Sequence, residues 1–254
     1  MPDLVTLDPL FWLVAVIAIA CLGLSKAGFL GFGLIATPLL ALKAPPVQAA
    51  AILLPVMLAQ DYFSGWSYRR DWDRSVLKVT IPGAVLGIGL AWALAAHVSD
   101  AWLRIAVGVL ALAFMLRQLV ARHAEASAPR RGLGVICGVT SGFAGTLANA
   151  GGPPLLIYVL PQQLAKMTFV GTLAFYFATL NTMKVVPFLA LGQLTTASLV
   201  ISALLLPLAL AATALGIRLV RITPPATFHR VAHAMVLIIG LALIWQGVTA
   251  LASN

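Results

Sequence analysis

At 254 residues, with 61% hydrophobic and only 9% charged side chains, the chain has a mean hydropathy of +1.03 and too little polar surface for a soluble domain. Its net charge of +9 does not indicate nucleic acid, because the basic residues gather in short loops between apolar runs and form neither one face nor an arm. The period-two alternation of an outer-membrane barrel is absent from runs such as "VIAIACLGL" and "LVISALLLPLALAATALGI". What remains is an all-α integral membrane protein.

The N-terminal stretch carries only Asp3 and Asp8 as charges. Without a basic n-region it reads as a first membrane segment and not as a cleaved signal peptide. Apolar segments are expected near 9–24, 28–42, 46–66, 76–97, 101–120, 132–148, 152–164, 166–190, 194–217 and 227–251. Basic loops fall at Tyr68–Arg74 with Lys78, at Arg117–Arg131 and at Arg218–Arg230; the loops at Ala95–Asp100 and Val185–Thr196 are poor in charge. Cys21 and Cys137 sit in apolar runs without metal or CxxC spacing and read as small core residues.

From Pro9 to Leu42 a single helix would be about 50 Å long, against a hydrocarbon core of about 30 Å. Its middle, "SKAGFLGFG", holds three glycines and a lysine, so a helix that breaks and turns back is expected there. Gly132–Leu164 has the same anatomy. If each broken stretch returns to the side it left, both halves obey the positive-inside rule with the termini outside. If each crosses once, Arg218, Arg221 and Arg230 fall outside and the rule fails. Each half then contributes a broken pair plus three spanning helices, an odd count that turns the second half over: two inverted-topology repeats in one transporter domain spanning 1–254. The repeats run over about 9–120 and 132–251, joined by the linker 121–131, which contains the only glutamate, Glu125. Laid on one another, the two breaks bring Cys21 onto Cys137, Ser25 onto Ser141 and Pro38–Leu40 onto Pro154–Leu156.

Backbone freed from helical hydrogen bonds is tolerated at membrane depth only inside protein or beside a water-filled cavity. Helix ends facing such a cavity offer N–H groups and a positive dipole end that suit an anion. Small residues also serve close helix packing, but two breaks at matching positions favour a binding site. Gly31, Gly33, Gly151 and Gly152 would let the backbone approach a ligand, so Gly151→Leu or Gly152→Leu is expected to abolish transport while sparing the fold.

These residues resemble a known family. "GFLGFGLIATPLLAL" (Gly28–Leu42) is similar to the glycine-rich stretch and Pro-Leu-Leu of the TauE/SafE sulfite exporter family. "GVTSGFAGTLANAGGPPLLIYVL" (Gly138–Leu160) followed by "FYFATLNTMKVVPFLALGQL" (Phe175–Leu194) resembles its second half, over about residues 10 to 250 in all. The resemblance implies transport of small anions such as sulfite, thiosulfate, sulfoacetate or taurine-derived products. Phe32 departs from the usual run of glycines and narrows the expected cavity.

Charged residues inside apolar segments are functional candidates by default. Lys184 is the first, with Asn181 and Thr182 beside it; the alternative is a lysine snorkelling to the interface near Pro187. Lys26 lies at the first break, where it could also be an ordinary turn lysine. Ser25, Thr37, Ser141, Thr146 and Asn149 line the two breaks as neutral donors. Asp61 is the candidate for proton coupling, or else the partner of a basic residue or an interfacial carboxylate. His229 and His233 stand one turn apart without a carboxylate, a poor metal site, and no cofactor is expected. The function expected is a secondary carrier of a small anion in a bacterial-type inner membrane, working by alternating access. The competing readings are a passive anion channel and an intramembrane serine hydrolase built on "GVTSG", which lacks a base at fixed distance.

Overall fold

The computed structural model describes residues 9–28, 33–44, 46–94, 97, 99–120, 130–147 and 149–252. Gly31, Phe32 and most of the linker 121–131 lie outside the described residues.

The described residues form ten helices and no strand. In chain order they are α1 (Pro9–Lys26), α2 (Gly33–Ala41), α3 (Pro46–Ser67), α4 (Arg74–Leu94) and α5 (Asp100–Val120). The second half gives α6 (Arg131–Leu147), α7 (Gly152–Val159) with a 3₁₀ turn at Leu160–Gln162, α8 (Lys166–Ala190), α9 (Thr196–Ile222) and α10 (Pro225–Ala252). Both expected breaks are present. Each consists of a long arm followed by a short one: α2 has 9 residues and α7 has 8. Helices of about 13 Å cannot cross the hydrocarbon alone. Helices α1, α4, α8 and α9 are long and apolar enough to do so, and α5 and α10 hold the shorter apolar stretches Ala101–Ala113 and Val236–Ala252.

The compact units do not follow the sequence halves. One unit holds 1–70 and 173–223, hence α1, α2, α3, most of α8, and α9; the other holds 71–172 and 224–254. In the first unit α1 packs along α9, and α3 also lies against α9. In the second unit α4 packs along α6, and α5 along α10. The first arm of each half therefore packs against the fourth helix of the other half.

Small residues make both of these close pairings possible, since helices in lipid gain little from hydrophobic burial and much from backbone contact. In the first unit Gly23 lies against Ala212 and Thr213, and Gly216 against Ala27. In the second, Gly83 meets the Val135 carbonyl, Gly138 that of Thr80, and Gly142 that of Ala84. Any side chain at these glycines would displace backbone. The core of the first unit is built from Phe11, Ile19 and Leu22 of α1, Leu40 of α2, Ile52 to Leu54 of α3, and Ile201 and Leu205 of α9. Leu13, Ile17, Leu204 and Leu215 of the same helices are exposed, as lipid-facing side chains should be.

Asp73 starts α4. Its Oδ1 accepts from the backbone N–H groups of Ser75 at 2.7 Å and Val76 at 3.1 Å and from the Ser75 hydroxyl, satisfying donors that every helix N-terminus leaves open. Burial pushes this carboxyl up, but these hydrogen bonds outweigh it and hold the group below the ordinary aspartate value.

Candidate functional site

The charged residues of the apolar segments meet inside the first unit. α1 ends on Lys26, and its Nζ stands 2.7 Å from Asp61 Oδ1 and 2.9 Å from Oδ2, the oxygen to which its hydrogen bond runs. Asn181 of α8 donates to the same Oδ2 at 2.6 Å. Lys184, one turn further along α8, is 4% exposed and within electrostatic reach of both Asp61 and Lys26. Lys26 also stands 5.5 Å from the centroid of the Phe177 ring, close enough for a cation–π contact. Three ionisable side chains and an amide from three helices thus share one interior site. Lys184 does not snorkel, Lys26 is not a solvated turn lysine, and Asp61 is the partner of a basic residue.

The polar strip of α3 continues this site. Gln60, fully buried, donates from Nε2 to the Ala209 carbonyl at 3.2 Å, while its Oε1 and the buried Ser64 hydroxyl have no hydrogen-bond partner among the described residues. Buried acceptors without partners are uncommon and mark places where water or ligand completes the set. Tyr68 donates to the Ala27 carbonyl at 3.2 Å, pinning the backbone just past Lys26. Neither Ser64 nor Tyr68 was singled out from sequence. The available signal was the Ser64 hydroxyl, three residues and about one turn from Asp61 on the same face of α3.

At the first break Ser25 is buried and packs against Gly33, where an added Cβ would come within 2.6 Å of the Ser25 hydroxyl. Gly33 is therefore needed for the arms to close. Thr37 lies half-buried on α2. Thr182 is exposed; its hydroxyl lies 2.9 Å from that of Tyr62, on a groove of about 520 Å³ between α3 and α8 that Asp61 and Arg69 also line.

The residues of the second break lie in the other unit and are engaged with backbone. Ser141 donates to the Gly151 carbonyl at 2.6 Å, and Thr146 donates to the Gly142 carbonyl at 2.7 Å within its own helix. A serine whose proton is committed to a carbonyl is a poor nucleophile. Asn149 has φ 51°, the left-handed turn conformation that asparagine tolerates. The two adjacent glycines divide. A Cβ at Gly151 would lie 2.8 Å from the Ser141 carbonyl and 3.2 Å from Gly145 Cα, whereas at Gly152 it would meet nothing. The expectation that either glycine could take leucine without harm to the fold is corrected for Gly151, which is a packing residue.

Residues 15–243 match the family described as "Sulfite exporter TauE/SafE". The chain belongs to the TauE/SafE family. No curated protein and no solved structure matches it. TauE/SafE proteins are membrane transporters, so the apolar helices are those of a multi-pass membrane protein, and the setting is that of a small anionic substrate. The match spans both breaks and all four of Lys26, Asp61, Asn181 and Lys184.

Proposed function

We propose that the chain is a secondary carrier of a small sulfur oxyanion or organosulfonate, of the sulfite, thiosulfate or sulfoacetate type, working by alternating access in an inner membrane. The observation that carries this reading is the interior ion pair of Lys26 with Asp61, with the buried Lys184 within electrostatic reach of both. Taking an ammonium out of water costs several kcal/mol, and holding two of them at one site is justified where an anion arrives to share them. Lys26, Lys184 and Asn181 are the proposed binding groups, and Asp61 the coupling group. The reciprocal packing of α1 with α9 and of α6 with α4 supports the inverted repeat, since a two-fold relation between halves exchanges those two pairs.

The test is counterflow. Proteoliposomes loaded with unlabelled sulfite, thiosulfate or sulfoacetate should transiently concentrate the matching labelled anion, and uptake should saturate. Flux that rises linearly with concentration and shows no counterflow would indicate a channel. Topology is tested separately by cysteine labelling from outside: a Ser99→Cys variant should react and a Ser127→Cys variant should not. Equal labelling would contradict the inverted arrangement.

A further inference from the structure

The carboxylate in this site is itself an anion resting on a lysine. We propose that Asp61 is a built-in surrogate for the transported anion, displaced from Lys26 when the anion binds and neutralised by a proton, so that one proton crosses with each anion. This rests on the anion-carrier reading above.

Three observations converge on it. First, Asp61 is fully buried and bonded to Lys26 and Asn181, so the cation that would greet an incoming anion is already occupied. Anion and carboxylate must compete for it. Second, a displaced carboxylate would be a buried charge without its ammonium, the arrangement that proteins avoid by protonating the group. Third, Asp61 lines the groove that also reaches Tyr62, Trp66, Thr179, Thr182 and, about 12 Å along α3, Arg69 at the basic loop. That groove gives a proton a path to the carboxylate.

Charge counting supports the exchange. Lys26 and Lys184 with an ionised Asp61 carry a single net positive charge, and the same two lysines with a protonated Asp61 and a bound monoanion carry the same. The cluster thus keeps its charge when a singly charged anion such as hydrogensulfite arrives together with one proton, and falls by one charge when thiosulfate or sulfoacetate, dianions at neutral pH, does so. Other ionisable groups do not disturb the count. Among the described residues α2 contributes none, α9 only the exposed Arg218 and Arg221, α3 itself only Tyr62, α1 only Cys21 besides Lys26, and α8 only Tyr176 and, at its far end, Lys166 besides Lys184.

The experiment uses the full chain in proteoliposomes with a trapped pH dye and labelled thiosulfate, sulfite or sulfoacetate. The wild type should acidify the interior as thiosulfate or sulfoacetate enters, with about one proton per anion beyond any that the anion itself releases, and an acid exterior should drive accumulation. Asp61→Asn should uncouple the two fluxes: the anion flux that remains should carry no proton, and pH-driven accumulation should fall at least about tenfold relative to that flux. Wild-type uptake without proton movement would overturn the proposal, as would an Asp61→Asn protein that still carries protons with the anion. If Asp61→Asn fails to fold, the double variant Lys26→Gln/Asp61→Asn removes both charges, and the wild-type proton count decides regardless. Absence of saturable uptake of all three anions in the wild type would overturn the anion-carrier reading beneath it.

Discussion

At the first helix break α1 ends on Lys26, whose ammonium lies on the buried carboxylate of Asp61. At the second, α6 ends at Leu147, and the gap is closed by the Ser141 hydroxyl on the Gly151 carbonyl. When the two stretches are superposed in sequence, Ser25 falls on Ser141, but Lys26 falls on Gly142, which sits against the Ala84 carbonyl. The same local architecture thus serves charge chemistry in one half and close packing in the other. A glycine-rich break is a permissive scaffold, and what it does depends on the one or two side chains placed beside it.

The largest effect that would sharpen this contrast lies at the first break. Lys26→Gln leaves Asp61 buried without its ammonium and should cost about 3–5 kcal/mol of stability. Adding Asp61→Asn to it should restore most of that loss, as read by thermal unfolding in detergent. A negligible cost for the single variant would mean that water reaches the pair and that the first break is no more demanding than a surface turn.

Next comes the second break. Gly151→Leu must push against the Ser141 carbonyl and Gly145, and should destabilise by about 1–3 kcal/mol. Gly152→Leu, which meets open space, should leave the unfolding temperature nearly unchanged. Equal effects from the two would break the assignment of this break to packing. Ser141→Ala, which deprives the Gly151 carbonyl of its donor, should cost about 1 kcal/mol.

Much of this was legible beforehand. Apolar run lengths placed the helices, and glycine clusters too long for one span located both breaks, because a span's length is set by the bilayer and its continuity by backbone sterics. Lys26, Lys184, Asn181 and Asp61 stood out because charge and amide are rare in such segments. Their convergence could not be read, since Asp61 and Asn181 lie far apart in sequence and nothing local fixes which faces of α3 and α8 turn inward. The pairing of α1 with α9 was equally hidden: a stripe of small residues shows that something approaches, not what. Nor did spacing distinguish Gly151 from Gly152, adjacent residues whose surroundings differ.

The smallest effect concerns a region with no part in the site. The Asp73 carboxyl is held below its ordinary value, so the cap on α4 contributes fully above the unfolded aspartate value near 3.9 and is lost as pH falls through the lower folded value. Asp73→Ala should therefore cost about 1 kcal/mol at neutral pH, and the difference from wild type should shrink only in strong acid. A difference that already vanished near pH 6 would assign it to another group.

The central claim, that the lysines of the first unit hold the anion, is tested most directly by equilibrium binding of labelled thiosulfate, sulfite and sulfoacetate to purified Lys184→Gln. Glutamine keeps a hydrogen-bonding side chain of similar reach and loses the charge, so binding should weaken by about 1–3 kcal/mol, roughly fivefold to 150-fold, with the protein still folded. Unchanged affinity for the anion that the wild type binds would contradict the claim.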